Sequence, residues 1–237
     1  ILSGYTTANG AQWLVENILE DRKASKNTRM VAGVIEVLGG MSYEPAFDAM
    51  VGFLENRDLG VRLGAIAGLG RLGSEAGVPP LAGLFAEGED AVIIAALDAL
   101  IAIGGSSAQA PVLEALAHAS KPVRLRAIEA VETLRIKDGV GPLIMMLDTD
   151  PDGRVQEDAF EALTALTLRN LRDTTAEWLN WWDRAEKSFE LPDIEKIEAA
   201  RKRIAENGTR YNVGKKSFQD IETKSDNIVF VIDVSQS

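Results

Sequence analysis

One template occurs four times in this sequence, at intervals of 31, 31 and 32 residues (92−61, 123−92 and 155−123). Each copy begins at a valine, and apolar or small residues follow four, seven, eight and eleven positions later. These offsets trace one face of an α-helix, so each copy predicts a helix with one buried side. The four helices begin near Val61, Val92, Val123 and Val155.

A second, shorter helix is predicted before each of these, over residues 46–54, 78–85, 111–118 and 140–147. Prolines fall in the first turns of the last three, where a missing N–H costs least. A looser copy of the unit spans residues 12–19 and 31–39. The repeat therefore predicts about five helix pairs between residues 11 and 168.

Helical hairpins with a period in the low thirties stack side by side, because no single pair can bury its apolar face. The predicted fold class is all-α, an α-α superhelix or solenoid, with an orphan β-strand at the C-terminus. Small residues recur at the seventh offset and predict close approach of neighbouring helices. Asp58 and Asp90 are the predicted N-caps, and Gly73 and Gly104 the predicted helix ends.

This pattern resembles HEAT repeats, which favour Asp before the second helix of each pair and Val-Arg at its start. Asp58 with Val61-Arg62, and Val123-Arg124, match that pattern. Ile93 and Gln156 replace the arginine elsewhere, so a family-type ladder of Asp and Arg is expected to break there. Tetratricopeptide repeats are the alternative architecture, although their large aromatic signature positions are missing. The resemblance implies a HEAT-like domain over residues 1–170.

A tryptophan-rich helix is predicted after the repeats, over residues 171–192. Thr174 and Glu177 form a capping box, and Trp178, Trp181 and Trp182 lie on one face. Such a helix serves either as a cap over the open end of the last repeat or as an aromatic ligand platform.

A further helix and a basic linker are predicted over residues 193–225. Six cations stand against one acid between residues 201 and 216, a local charge of +5 (6−1). A solvated linker and a phosphate-contacting segment are the two interpretations of this charge.

The last twelve residues, 226–237, combine the apolar run 228–232 with Asp233, Ser235 and Ser237. A carboxylate and two hydroxyls at a strand end are hard ligands that suit Mg²⁺ or Mn²⁺. The segment resembles the start of a von Willebrand factor type A domain and its metal-ion-dependent adhesion site, with Gln236 in place of the usual glycine. The resemblance implies a truncated domain with an incomplete site and no cofactor in this fragment of a bacterial multidomain protein. An ordinary terminal strand is the alternative.

The charge of −11, from 25 basic and 36 acidic residues, opposes nonspecific binding to nucleic acid. No apolar stretch approaches the roughly 20 residues of a membrane span. The single histidine, His118, has no cysteine or catalytic motif near it. The sequence thus favours a non-enzymatic protein-protein interaction scaffold. HEAT-like enzymes are the alternative, such as lyases acting on a protein or a pigment.

The candidate partner-binding residues are Asp98, Glu129 and Glu161, six positions after the valines of successive helices, together with Arg62 and Arg124. Stacked repeats place equal offsets side by side, so the three acids are expected to share one surface. That surface either binds a basic partner segment or is a solvated acidic face.

Overall fold

The computed structural model describes residues 9–193, except residues 22, 24, 25, 87, 170 and 172–174, together with residues 195, 196 and 199. The chain divides into two compact units, Ile1–Asp193 and Ile194–Ser237. The predicted strand 228–232, the basic linker, Asp233, Ser235 and Ser237 lie outside the described residues. Every element below belongs to the first unit.

Eleven α-helices form the described part of this unit, and the first ten make five successive pairs, as predicted. Helix α1 covers residues 9–14 and continues into a π-helical turn, Val15–Leu19. Short 3₁₀ turns flank several first helices, at Glu44–Ala46, Phe53–Glu55, Glu75–Gly77 and Lys137–Gly139. The remaining helices are α2 (Thr28–Gly40), α3 (Phe47–Gly52), α4 (Leu59–Leu72), α5 (Val78–Gly83), α6 (Asp90–Ile103), α7 (Gln109–Ala115), α8 (Lys121–Thr133), α9 (Val140–Thr149), α10 (Gly153–Thr167) and α11 (Thr175–Ala185).

The second helices of the pairs are α2, α4, α6, α8 and α10, and each contacts the next one in the series. Val61, Val92, Val123 and Val155 are all buried, at 3% exposure or less. Because the apolar stripe of each helix faces its neighbours, the core continues from pair to pair. This arrangement confirms the predicted solenoid.

Side-chain caps start three of the second helices. Asp58 accepts a hydrogen bond from the Val61 amide, as predicted, and Asn27 and Asp152 do the same at α2 and α10. The prediction for Asp90 was wrong, because Glu89 is the residue 31 positions after Asp58 and occupies the N-cap. Asp90 lies one position inside α6, and its carboxylate instead accepts a hydrogen bond of 2.5 Å from the Ser120 hydroxyl.

Glycines bring the second helices together backbone to backbone. A Cβ atom on Gly39 of α2 would lie 2.7 Å from the carbonyl oxygen of Gly68 on α4. A Cβ atom on Gly70 would lie 2.8 Å from the Cα atom of Ala99 on α6. The small residues of the repeat therefore set the separation of the first three second helices, because any side chain there would collide with the next helix.

The ends of these helices follow the predicted glycines in two cases. Gly73 ends α4 in a left-handed conformation with φ of 73°, and Gly104 ends α6 with φ of 68°. No helix in the described ranges is both long enough and apolar enough to cross a membrane.

Candidate protein-interaction surface

A row of exposed positions runs across the five second helices, six residues after the first buried valine of each. We call this row the ridge, and its members are Val37, Ala67, Asp98, Glu129 and Glu161. All five are exposed because the buried stripe of each helix points to the opposite side. The three predicted acids therefore occupy equivalent positions on the neighbouring helices α6, α8 and α10.

Arg126 on α8 connects two of these acids. Its guanidinium forms ion pairs with Asp98 on α6 and with Glu129 one turn further along α8. Partial burial disfavours the charged guanidinium, but the hydrogen bonds to Glu129 and Asp98 raise the pKa of Arg126 above its ordinary value. The sequence reasoning missed Arg126, although its spacing of three residues from Glu129 is a signal for such a pair.

Arg62, the first of the two predicted arginines, belongs to the junction between the second and third pairs. Its guanidinium donates to the Asn56 carbonyl oxygen at 3.0 Å and to the Glu89 carboxylate at 3.3 Å. The Arg62 side chain is 21% exposed, whereas that of Glu89 is 70% exposed. Arg62 therefore ties a loop to the next repeat at the edge of the surface.

Arg124, the second arginine, is buried at the junction between the fourth and fifth pairs. It donates to both oxygens of Asp150, at 2.6 and 3.0 Å, and to the carbonyl oxygens of His118 and Ala119. All of its strong donor directions are thus used within the chain. The structure assigns Arg124 to the contact between repeats, which corrects its prediction as a partner-binding residue.

Lys121 and Asp152 make a further contact between the same two pairs, with 2.8 Å between the ammonium nitrogen and a carboxylate oxygen. The hydrogen bond from Lys121 lowers the pKa of Asp152 below its ordinary value, and the Arg154 amide contributes in the same direction. His118, next to this junction, accepts a hydrogen bond from the Ser120 amide through Nδ1. Its ring and its carbonyl oxygen both organise the loop before α8.

The tryptophans of α11 form an aromatic cluster against the last pair, where α11 contacts α9. Trp178 is fully buried and packs edge-on against Phe160 of α10, with 6.3 Å between ring centroids. Trp182 is also buried, and Phe189 packs against it at 5.7 Å. Burial of these two rings is the arrangement that a capping helix requires.

Trp181 is the one member of the predicted aromatic platform that remains half-buried. The guanidinium of Arg169 lies 4.8 Å from the centroid of its ring, a cation–π contact. Trp181 also lines a groove of about 550 Å³ along α11, together with Leu171, Glu177, Asn180, Arg184, Ala185 and Ser188. The groove presents an aromatic face between polar side chains.

No group of three or more His, Asp or Glu side chains that could hold a metal ion occurs in the part of the chain that the structure describes. The predicted metal ligands Asp233, Ser235 and Ser237 fall outside that part.

Comparison with protein families identifies the repeat. The sequence matches the family described as HEAT repeats over residues 12–101 and again over residues 87–164, which together make up more than half of the chain. The chain belongs to the HEAT-repeat family. The five helix pairs are therefore HEAT repeats, and the tetratricopeptide alternative is wrong. No curated protein matches the sequence.

Solved structures include a similar HEAT-like fold. The chain is similar to a structure of the complex of CpcE and CpcF of phycocyanin lyase from Nostoc sp. PCC7120, with 20% sequence identity and a TM-score of 0.52. The similarity covers 80% of this chain and 74% of that one. At this identity, the comparison shows a shared fold.

Proposed function

We propose that this HEAT-repeat protein is a non-enzymatic scaffold that binds a protein partner through the ridge. The observation that carries the proposal is the Arg126 contact, which holds Asp98 and Glu129 together on adjacent repeats. Side chains fixed in this way lose little conformational entropy when a partner binds. Glu161 extends the acidic part of the ridge to α10.

The packing of the repeats supports the same function. Consecutive second helices contact one another directly, so the spacing of ridge residues is set by the solenoid core. A partner therefore meets a surface whose charges are already in place, and complementary charge speeds association and excludes partners of the wrong sign.

Site-specific photo-crosslinking tests the use of this surface. A benzophenone amino acid replaces Glu129 in one variant and Glu114 in the other, because Glu114 is an equally charged, exposed residue on the first helix α7. After illumination in extracts of the source organism, we expect the Glu129 variant to yield a defined crosslinked partner that the Glu114 variant does not. Equal crosslinking from both positions, or none from Glu129, contradicts the proposal.

A lyase-like role is the second candidate function, and two observations favour it. The fold is similar to that of a complex of phycocyanin lyase subunits, and the groove along α11 offers the aromatic face of Trp181. A pigment bound there would stack on that ring. Mixing the chain with a bilin pigment should then shift the pigment absorbance, and Trp181→Leu should remove the shift, whereas an unchanged spectrum argues against this role.

The C-terminal residues support a proposal about the longer protein. The resemblance of residues 226–237 to the start of a type A domain implies that Asp233, Ser235 and Ser237 are part of a Mg²⁺ or Mn²⁺ site. In such a site, a carboxylate from a partner would complete the coordination of the ion. Three protein ligands leave half of an octahedral shell to water, so this chain by itself should bind Mg²⁺ only weakly. Calorimetric titration checks this, and tight binding abolished by Asp233→Ala would contradict it.

A further inference from the structure

The outward surface of the second helices changes its chemistry along the solenoid. Two adjacent rows define this surface: the ridge, and the row three residues after each first buried valine. Every one of these ten residues is at least partly exposed. In order from α2, the first five are uncharged and the last five are charged: Val34, Val37, Gly64, Ala67 and Ala95, then Asp98, Arg126, Glu129, Asp158 and Glu161.

The charged half keeps an excess of negative charge after its internal ion pairs are formed. Four carboxylates and one guanidinium give −3 (1−4). Asp98 and Glu129 share Arg126, while Asp158 pairs with Arg154 at 2.8 Å. Glu161 is exposed and forms no ion pair with any residue that the structure describes. A cation from outside the chain would therefore meet uncompensated carboxylate charge here.

The uncharged half has the opposite character. Val37 is 51% exposed, and Met41, one turn further along the chain, is 40% exposed. The nearby charges of Glu36 and Arg71 pair with each other at 2.9 Å. Water around these apolar side chains would be released when another apolar surface covers them, which favours a hydrophobic contact at this end.

Building on the proposed function, we propose that the partner is a polypeptide segment with one apolar end and one end rich in Lys and Arg. It lies across the second helices, with its apolar end over α2 and α4 and its basic end over α8 and α10. The charge complementarity of the acidic half selects the basic end, and the uncharged half selects the apolar end. The same acidic half repels phosphate groups, which disfavours nucleic acid as the occupant.

Helix packing sets the length of this segment. Neighbouring helices pack about 8–10 Å apart, so the distance from α2 to α10 is about 32–40 Å. An extended chain advances about 3.3 Å per residue, so about 10–12 residues bridge the surface. A segment of this length, apolar in its first half and basic in its second half, fits the surface in one orientation.

Fluorescence anisotropy with synthetic peptides and the full chain tests this inference. The probe is a labelled 12-residue peptide with six apolar residues followed by six Lys or Arg residues. The control peptide has the same composition with the two residue types interleaved. We expect the block peptide to bind at least about fivefold more tightly than the interleaved one, since only the block peptide satisfies both halves at once. Equal affinities overturn the inference.

Variants of the chain locate the two contacts. Asp98→Asn with Glu129→Gln and Glu161→Gln should weaken binding about tenfold and reduce its salt dependence. The matched control, Glu55→Gln with Glu114→Gln and Asp148→Asn, removes three exposed acids from the first-helix side. Val37→Ser should also weaken binding, whereas Met145→Ser, an equally exposed apolar site on α9, should not. Equal effects of ridge and control variants overturn the inference, provided that circular dichroism shows all variants folded.

Two further outcomes separate this inference from the proposed function. If photo-crosslinking from Glu129 captures a partner but that partner contacts the ridge through an acidic or uniformly basic segment, the scaffold function stands and the block arrangement is wrong. If sedimentation shows a dimer that the ridge variants dissociate, the occupant is a second copy of this chain, which also overturns the inference. A monomer that binds the block peptide supports it.

Discussion

Arg124 at the start of α8 and Asp150 at the start of the next repeat form a two-pronged ion pair, with donor–acceptor distances of 2.6 and 3.0 Å. Their side chains are only 10% and 4% exposed, respectively. Asp150 also accepts a hydrogen bond from the Asp152 amide and, through its carbonyl oxygen, from the Gln156 side chain. The pair therefore joins two repeats and shapes the loop that begins α10.

Removing either partner of this pair should destabilise the protein strongly. Arg124→Ala or Asp150→Ala leaves an uncompensated buried charge, which typically costs about 3–5 kcal/mol. Arg62→Ala is the matched control, because its pair with the largely exposed Glu89 is expected to contribute about 1 kcal/mol or less. Urea unfolding measures both free energies. Similar losses for Arg124→Ala and Arg62→Ala would contradict this account of the buried pair.

The close contact of α2 and α4 predicts opposite effects for two glycines of α2. Gly39→Ala places a Cβ atom 2.7 Å from the Gly68 carbonyl oxygen, so the helices must separate, at a cost of about 1–3 kcal/mol. Gly33→Ala meets nothing within 4 Å and should stabilise the helix by about 0.5–1 kcal/mol. Thermal denaturation followed by circular dichroism compares the two variants. A Gly39→Ala protein at least as stable as Gly33→Ala would show that the glycine contact is unimportant.

The contact between Lys121 and Asp152 predicts a pH-dependent contribution to stability. Because the hydrogen bond from Lys121 lowers the pKa of Asp152, the contribution is fully present above the ordinary value of 3.8 and is lost as the pH falls through the lower folded-state pKa. Lys121→Met should therefore be less stable than wild type at neutral pH, with the difference vanishing in strong acid.

Nuclear magnetic resonance titration of the Asp152 carboxyl carbon checks the same effect directly. In Lys121→Met, the pKa of Asp152 should rise toward its ordinary value, because the largest cause of the shift is gone. Lys137→Met serves as the control, since the structure shows no ion pair for Lys137 among the described residues. An unchanged titration of Asp152 in Lys121→Met would rule out Lys121 as the cause.

Burial of the aromatic cluster predicts different costs for two neighbouring tryptophans. Trp178 is fully buried against Phe160, so Trp178→Ala should cost about 3–5 kcal/mol. Trp181 is half-buried beside the groove, and Trp181→Ala should cost clearly less. Since α11 contacts α9, hydrogen exchange should accelerate first in the last helix pair of the Trp178 variant. Uniform acceleration across all repeats would contradict the role of Trp178 as part of a cap.

Local sequence patterns predicted the helices and their faces. The valines at intervals of 31 and 32 residues mark buried positions because the 3.6-residue period of a helix and the burial of one face leave a repeating record in the sequence. The cap at Asp58 followed the same logic, since it depends on an amide three residues away. The error at Asp90 came from a choice of residue rather than of register, as the repeat interval points to Glu89.

The tertiary structure alone decided the roles of the charged residues. Arg62 and Arg124 occupy the same position in the repeat, yet one pairs with an exposed glutamate and the other with a buried aspartate 26 residues later. Arg126 connects Asp98 and Glu129 for the same kind of reason, because its partner on α6 lies 28 residues before it. The helical pattern is written in contacts of three and four residues along one chain segment. The environment of each charge depends on the side chain that the next repeat places against it, and that choice is made by packing between repeats.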